Sequence, residues 1–133
     1  MTTVLFYDRG CGACTCVIAW LVRRAAPGTL DARAIQDEEA RRLLADLPEA
    51  LQLASWHSVE RDGTRRSGAR VLTTPAVRDA LPAGRLLAAV VRALPSLSES
   101  VYRFVSRHRD WWGRAFSDAR RAAAAAELGV RSA

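Results

Sequence analysis

A chain of 133 residues has the length of one ordinary domain, and we expect residues 1–133 to fold as a single unit. Half of the residues are apolar and 26% are charged, a balance that excludes an intrinsically disordered chain. All twenty basic residues are arginine, and the net charge of +6 comes from the second half of the sequence. The longest apolar run, residues 16–22, is too short to cross a bilayer, and the N-terminus does not resemble a signal peptide. We therefore expect a cytoplasmic protein without a membrane span.

Apolar periodicity in the first half predicts strands and helices in alternation. Residues 2–7 (TTVLFY) form a β-branched and aromatic run that is typical of a buried strand. From Cys11 onward, apolar residues recur at helical spacing until Pro27-Gly28 ends the helix. The next predicted elements are a strand at 29–35, a helix at 36–47 with an acidic first turn, and strands at 53–60 and 64–67 around the turn Asp62-Gly63.

The second half is predicted to be helical. The expected helices cover 69–81, where Pro75 is a point of kinking or splitting, 84–94, and 98–128 as one long helix or two, with Gly113 as the favoured break. This order of elements predicts an α/β fold in which a βαβ unit and an antiparallel hairpin form a central sheet with helices on both faces. A thioredoxin-like arrangement is the leading candidate, with a core of about 2–94 and a C-terminal helical extension of about 96–128.

Three cysteines fall within the stretch YDRGCGACTC, between the first strand and the first helix. Cys11 and Cys14 are three residues apart at a helix start, so their Cα atoms should lie on the order of 5 to 6 Å apart, within disulfide range. Cys14 and Cys16 should point away from each other. In a reducing compartment, closely spaced cysteines are more often catalytic or metal-binding than structural.

The position of the pair favours redox chemistry. The free N–H groups and positive end of a helix stabilise a thiolate, so we expect the pKa of Cys11 to be lowered and Cys11 to act as the nucleophile. Cys14 would resolve the mixed disulfide, with Asp8 accepting its proton. A positive charge at Arg9 would favour the Cys11 thiolate, whereas the Asp8 carboxylate would oppose it. We expect Arg9, Gly12 and Ala13 to contact the substrate.

A metal site is the alternative interpretation of the same residues. Cys11, Cys14 and Cys16 together offer two or three thiolates, which suit Cu(I) better than Zn(II). Zinc usually takes four ligands, and neither His57 nor His108 has a second ligand beside it. Cys16 by itself is more typical of a small buried apolar residue. The redox interpretation requires no cofactor.

These residues also resemble a known family. YDRGCGACTC followed by an apolar helix is similar to the D-x-x-C-x-x-C signature of the DCC family of predicted thiol-disulfide oxidoreductases, which are thioredoxin-like. Asp8, Cys11 and Cys14 occupy the three named positions, and the resemblance extends over roughly residues 3–114. Arg9 replaces the glycine that is usual in the family. No proline precedes the third predicted strand closer than Pro48, so the cis-proline of a thioredoxin site is not expected.

The remaining features have structural interpretations. His57, on a predicted central strand, is more typical of a satisfied core histidine than of a catalytic one. In the last predicted helix, several arginines share a polar face with Asp110 and Asp118, which predicts intrahelical ion pairs and no specific nucleic-acid binding. The expected partners are an unknown thiol or disulfide substrate and a reductant, and a homodimer is compatible with the sequence.

Overall fold

The computed structural model describes residues 2–132, with side chains through residue 129. In chain order the elements are β1 (Thr3–Tyr7), α1 (Gly12–Arg24), β2 (Leu30–Ala34), α2 (Glu38–Leu43), α3 (Glu49–Ala54), β3 (His57–Val59), β4 (Arg65–Ser67), a 3-10 helix (Gly68–Thr73), α4 (Pro75–Ala80), α5 (Gly84–Ala93), α6 (Pro95–Arg107), α7 (Arg109–Trp112), a second 3-10 helix (Gly113–Ala115) and α8 (Asp118–Ser132). Within this described range no helix has the length and apolar character needed to span a membrane.

The four strands form one mixed sheet in the order β2-β1-β3-β4. β1 and β2 run parallel and are joined by α1, which makes the predicted βαβ unit. β3 is antiparallel to both β1 and β4, and β3 and β4 form the predicted hairpin around Asp62-Gly63. Gly63 has a φ of 90°, a value that glycine adopts without strain. The α/β fold class is therefore confirmed, and this topology is consistent with a thioredoxin-like fold.

Both faces of the central strand β1 are buried, because its side chains alternate between two apolar clusters. Leu5 and Tyr7 belong to the larger cluster, which includes residues of α1, α4 and α8. Phe6 belongs to the smaller one, with Ile35 just beyond β2 and Ala40 of α2. Helices consequently cover the sheet on its two sides, and the end of β1 emerges between them at Asp8.

The predicted strand at 53–60 is wrong in its first part, because residues 49–54 form α3 and the strand begins at His57. Only Leu53 and Ala54 of the predicted strand lie in this helix, and two residues are too few for a period to distinguish a helix from a strand. Within α3, Gln52 Nε2 donates to the carbonyls of Leu44 and Leu47, at 2.9 and 2.8 Å. The helix is thereby tied to the chain that follows α2.

The helical second half is more divided than predicted. The 69–81 helix splits at Pro75, which begins α4, as its sequence allowed. The expected break at Gly113 is present, and a further break occurs at His108, where Trp112 Nε1 donates to the Val105 carbonyl at 2.8 Å. Beyond it, Arg121 and Asp118 form one predicted intrahelical ion pair, at 3.7 Å.

The C-terminal helix α8 contributes to the main core. Its Ala124 and Leu128 are buried in the same cluster as the side chains of α1 and β1. The sequence predicts a core of about 2–94 and a C-terminal extension of about 96–128. Whether the core folds without the extension stays a prediction.

Candidate functional site

Cys11 and Cys14 lie where β1 has ended and α1 begins. After Tyr7 the chain makes a turn in which Cys11 N–H donates to the Asp8 carbonyl at 3.1 Å. Cys11 is the N-cap residue of α1, with an extended backbone, and Cys14 lies in the first turn. The two sulfurs are bonded as a disulfide, and the Cα atoms are 5.3 Å apart, as the spacing predicts.

The sulfur of Cys11 is a cap of the helix. Cys14 N–H donates to Cys11 Sγ at 3.2 Å, and so one of the free N–H groups of the first turn is directed at this sulfur. A hydrogen bond to an ionised acceptor is stronger than one to a neutral acceptor. After reduction, we therefore expect the same donor and the positive end of α1 to favour a thiolate at Cys11 over one at Cys14.

Asp8 is held at the end of β1 by three partners. Its Oδ1 accepts from Gly10 N–H at 2.9 Å and from Gln36 Nε2 at 2.8 Å. Arg109 Nη2 lies 3.7 Å from its Oδ2. Gln36 reaches Asp8 because the carboxyl ends of the parallel strands β1 and β2 lie side by side. The carboxylate is thus fixed in position next to the turn that carries the thiols.

Arg9 is engaged on the other side of this turn. Its Nη2 pairs with Asp37 Oδ1, and its backbone N–H donates to Gln36 Oε1 at 3.1 Å. The side chain is 60% exposed. Much of its charge is offset by Asp37 and by water, so its influence on the thiols is smaller than the sequence alone suggests.

Gly12 and Ala13 are covered by the C-terminal part of the chain. A Cβ added to Gly12 would lie 2.7 Å from Arg121 Cδ, so glycine leaves the room that this side chain occupies. Ala13 is 5% exposed, and a Cβ added to Gly113 would lie 3.0 Å from the Cβ of Ala13. Arg121 Nη2 donates to the Gly113 carbonyl at 2.7 Å, which holds the guanidinium beside the first turn of α1. The substrate contacts proposed for Arg9, Gly12 and Ala13 stay predictions.

An apolar cavity of about 260 Å³ opens beside the disulfide, with Cys14 and Asp8 in its wall. It lies between α1, the end of α3, α6 and α7. Its apolar walls come from residues far apart in the sequence: Val17, Ile18, Leu53, Trp56, Val105 and Trp112. The ring centroids of Trp56 and Tyr102 are 6.2 Å apart, with the planes nearly parallel.

The polar groups of this cavity mostly bond to the protein itself. Tyr102 Oη accepts from Trp56 N–H at 3.1 Å, and Ser106 Oγ donates to the Ala54 carbonyl at 3.0 Å. Burial raises the pKa of the Tyr102 phenol to about 12, so this wall is uncharged at neutral pH. At one end of the cavity stand the opposite charges of Asp8 and Arg109.

The third cysteine lies on another side of α1. Cys16 is 8% exposed and lines a groove between α1 and α8, whereas it does not line the cavity beside Cys14. Its interpretation as a small buried residue is confirmed. Among the described residues no cluster of three or more cysteine, histidine or acidic side chains has the arrangement of a metal site. The three-cysteine metal hypothesis therefore gains no support.

His57 is a core histidine, as expected. It is 1% exposed, with Nε2 3.0 Å from the Gln52 carbonyl and Nδ1 2.6 Å from Ser67 Oγ. The carbonyl can only accept, so Nε2 carries the proton and Nδ1 accepts from the serine hydroxyl. Both ring nitrogens of the neutral imidazole are satisfied.

Sequence reasoning missed three residues around the disulfide: Gln36, Arg109 and Arg121. Gln36 had a usable signal, since it follows β2 and the carboxyl ends of adjacent parallel strands meet at one edge. Arg109 and Arg121 lie about a hundred residues from the cysteines, in helices whose packing the sequence pattern does not specify. No local signal identifies them.

One comparison with known proteins identifies a relationship. The family model described as DCC1-like thiol-disulfide oxidoreductase matches residues 5–115, a range that includes Asp8, Cys11 and Cys14. It agrees with the resemblance that the sequence motif indicates and ends close to the same residue. No curated protein and no solved structure matches the chain significantly.

Proposed function

We propose that this chain, which belongs to the DCC1-like thiol-disulfide oxidoreductase family, transfers electron pairs between its Cys11–Cys14 pair and a thiol or disulfide substrate. One observation carries the proposal: the two sulfurs are bonded at the start of α1, with Cys11 Sγ as the cap acceptor of the helix. That position stabilises the leaving or attacking thiolate at Cys11 and holds Cys14 within bonding distance of it.

In the reducing direction, the Cys11 thiolate attacks one sulfur of a substrate disulfide. The substrate S–S bond breaks, one substrate thiolate leaves and takes a proton from water, and Cys11 is joined to the other substrate sulfur. Cys14 then loses its proton, and its thiolate attacks Cys11 Sγ. The second substrate thiol is released, so the substrate gains two electrons and two protons while the protein forms its disulfide.

Asp8 is the proposed acceptor of the Cys14 proton. Both residues line the same cavity, and in this proposal the proton passes from the Cys14 thiol to the Asp8 carboxylate there. Gly10, Gln36 and Arg109 fix the position of the carboxylate. An external thiol must return the protein disulfide to the dithiol after each turnover, and the reducing cytosol is the compartment that we propose for this cycle.

Redox titration with alkylation of free thiols tests the proposal. The protein is equilibrated in buffers of reduced and oxidised dithiothreitol and, for less negative potentials, of reduced and oxidised glutathione, and thiols are counted by mass spectrometry. We expect one reversible two-electron step in the wild-type chain and in Cys16→Ser, which removes only the buried third thiol. Cys11→Ser and Cys14→Ser should lack the step. A wild-type chain that keeps all thiols free in the most oxidising buffer would refute the proposal.

A further inference from the structure

We propose that the apolar cavity beside Cys14 is the substrate pocket, and that it selects thiols and disulfides whose sulfur carries a compact, uncharged apolar group such as a single aromatic ring. This inference rests on the proposed thiol-disulfide exchange and adds the chemical class of the substrate. The disulfide and the cavity share Cys14, which makes the two features one site.

The position of the cavity fits a group that is attached to the reacting sulfur. Its wall contains Cys14, whose sulfur is bonded to that of Cys11. Cys11 is not in this wall, so a substituent in the cavity lies beside Cys14, and in this proposal the sulfur that carries it reaches Cys11 from there to form the mixed disulfide. Asp8, the proposed proton acceptor, stands at the same end.

The size of the cavity sets an upper limit on the group. Its volume is about 260 Å³. An apolar protein cavity of roughly 150 Å³ accommodates benzene, and drug-sized ligands occupy about 300 to 1,000 Å³. One aromatic ring with a short linker therefore fits, whereas the peptide portion of a glutathione disulfide does not fit inside.

The chemistry of the walls excludes charged and strongly polar groups. The Trp112 indole N–H and the Ser106 hydroxyl donate to backbone carbonyls of the protein, and the Tyr102 hydroxyl accepts from Trp56 N–H. A polar substituent would lose its hydration and find few partners, chiefly the Tyr102 O–H and the hydroxyls of Tyr7 and Ser55, in a wall that is otherwise mostly apolar. Asp8 and Arg109 stand together with opposite charges, so neither sign of ligand is favoured. The rings of Trp56 and Trp112 offer apolar faces to an aromatic group.

With a symmetric disulfide R–S–S–R, the reduced protein supplies two electrons, Cys14 supplies one proton and water supplies the other. The S–S bond of the substrate breaks, the Cys11–Cys14 bond forms, and two R–SH molecules leave. The R group occupies the cavity during the mixed-disulfide stage. No further oxidant or reductant takes part in this half of the cycle.

Two alkyl disulfides that differ in the terminal group test the selection. Reduced protein is mixed with bis(2-phenylethyl) disulfide or bis(2-hydroxyethyl) disulfide, and the rate of protein oxidation is measured. Each rate is divided by that of dithiothreitol with the same compound, which removes the intrinsic reactivity of the disulfide. We expect the normalised rate to be roughly 10-fold to 100-fold higher for the phenylethyl compound, the range that apolar pocket contacts give.

Matched substitutions on α6 locate the effect. Val105 lines the cavity, whereas Val101, one turn earlier on the same helix, does not, and both are substantially exposed, at 44% and 55%. Val105→Trp fills the cavity and should abolish the preference, whereas Val101→Trp should retain it. Circular dichroism checks that both variants are folded. In the wild-type chain, a sulfur-free ring compound such as toluene should inhibit the phenylethyl reaction competitively.

The outcomes separate this inference from the proposed function. If neither disulfide oxidises the protein, the proposed thiol-disulfide exchange itself fails. If both react with no preference, and toluene has no effect, exchange stands and the pocket inference is overturned. A preference that survives Val105→Trp and toluene would also overturn it, because the selection would then arise outside the cavity.

Discussion

Single residues at the start of α1 determine how the two thiols differ. Cys11 is the N-cap and its sulfur accepts a backbone N–H, whereas Cys14 lies within the first turn and faces the apolar cavity. A helix N-terminus stabilises an anion most strongly at its first residues. We therefore expect Cys11 to be the attacking sulfur and Cys14 the resolving one.

Selective alkylation checks this asymmetry. With limiting iodoacetamide near neutral pH, we expect the reduced protein to be modified at Cys11 well ahead of Cys14 and Cys16, because the thiolate is the reactive form. The pH dependence of Cys11 alkylation should have its midpoint below the ordinary thiol pKa of about 8.5. Peptide mass mapping reports the site. Equal labelling of all three cysteines would show that the helix start does not activate its thiol.

Gly12→Ala should disturb Arg121 and, through it, Cys11. The new Cβ would lie 2.7 Å from Arg121 Cδ, so the side chain must move away from the first turn. Arg121 Nε is buried, and among the described residues it has no hydrogen-bond partner, so it is available to an anion there. Losing this cation should raise the midpoint of Cys11 alkylation.

Arg121→Gln should raise the same midpoint, and the double variant should show little further change, since both substitutions remove one interaction. Arg9→Gln is the control, and should have the smaller effect because Arg9 is 60% exposed and pairs closely with Asp37, whereas Arg121 is 37% exposed and lies 3.7 Å from Asp118. A larger effect of Arg9→Gln, or additive effects of Gly12→Ala and Arg121→Gln, would contradict this arrangement.

At the site, the sequence predicted what lies close together along the chain. The spacing of Cys11 and Cys14 and the strand before them were enough to place a disulfide at a helix start. The cavity was not predictable, since Trp56, Val105 and Trp112 meet Cys14 only after three helices have packed against the sheet. Packing of that kind depends on side-chain shapes that a periodic pattern does not encode.

Among the helices and strands, the short apolar segments were predicted least well from the sequence. The central strand and α1 have long, consistent patterns and were predicted correctly, as was the Asp62-Gly63 hairpin. The helix α3 was not predicted, and its last two residues, 53 and 54, were assigned to a strand, because so short a run has no informative period. The position of α3 depends on Gln52, which donates to the carbonyls of Leu44 and Leu47 outside the helix. A short sequence pattern does not reveal such tertiary contacts.

The strand β3 makes the fold sensitive to acid through His57. Burial lowers the pKa of this histidine, so the folded state does not bind the proton that the unfolded chain takes up below about pH 6.5. The free energy of unfolding should therefore fall as the pH drops below about 6.5, by at most about 1.4 kcal/mol per pH unit from this residue.

Urea unfolding between pH 5 and pH 8 measures this dependence. His57→Gln should remove it, at the cost of lower stability near neutral pH, whereas the exposed His108→Gln should retain it because His57 is still present. An unchanged slope in His57→Gln would assign the acid sensitivity to other groups.

For the whole molecule, the C-terminal helix α8 belongs to the same core as α1, the helix that carries the cysteines. Leu128 of α8 is 1% exposed among side chains of α1 and β1, although the sequence placed this segment in an extension. Leu128→Ala should lower the free energy of unfolding by about 2 to 5 kcal/mol. Leu86→Ala, at a position that is 66% exposed, is the control and should change it by less than about 0.5 kcal/mol. Equal effects would mean that 2–94 folds without help from α8.

Trapping of the mixed disulfide tests the central claim, that Cys11 attacks and Cys14 resolves. Reduced Cys14→Ser and Cys11→Ser variants, each in a Cys16→Ser background, are mixed with bis(2-hydroxyethyl) disulfide, quenched with acid and weighed by intact mass spectrometry. We predict that the Cys14→Ser variant accumulates one covalent mercaptoethanol adduct on Cys11, while Cys11→Ser reacts much more slowly and the protein with both thiols proceeds to its internal disulfide. An adduct that forms at Cys14 as fast as at Cys11 would show that Cys11 is not the preferred attacking thiol.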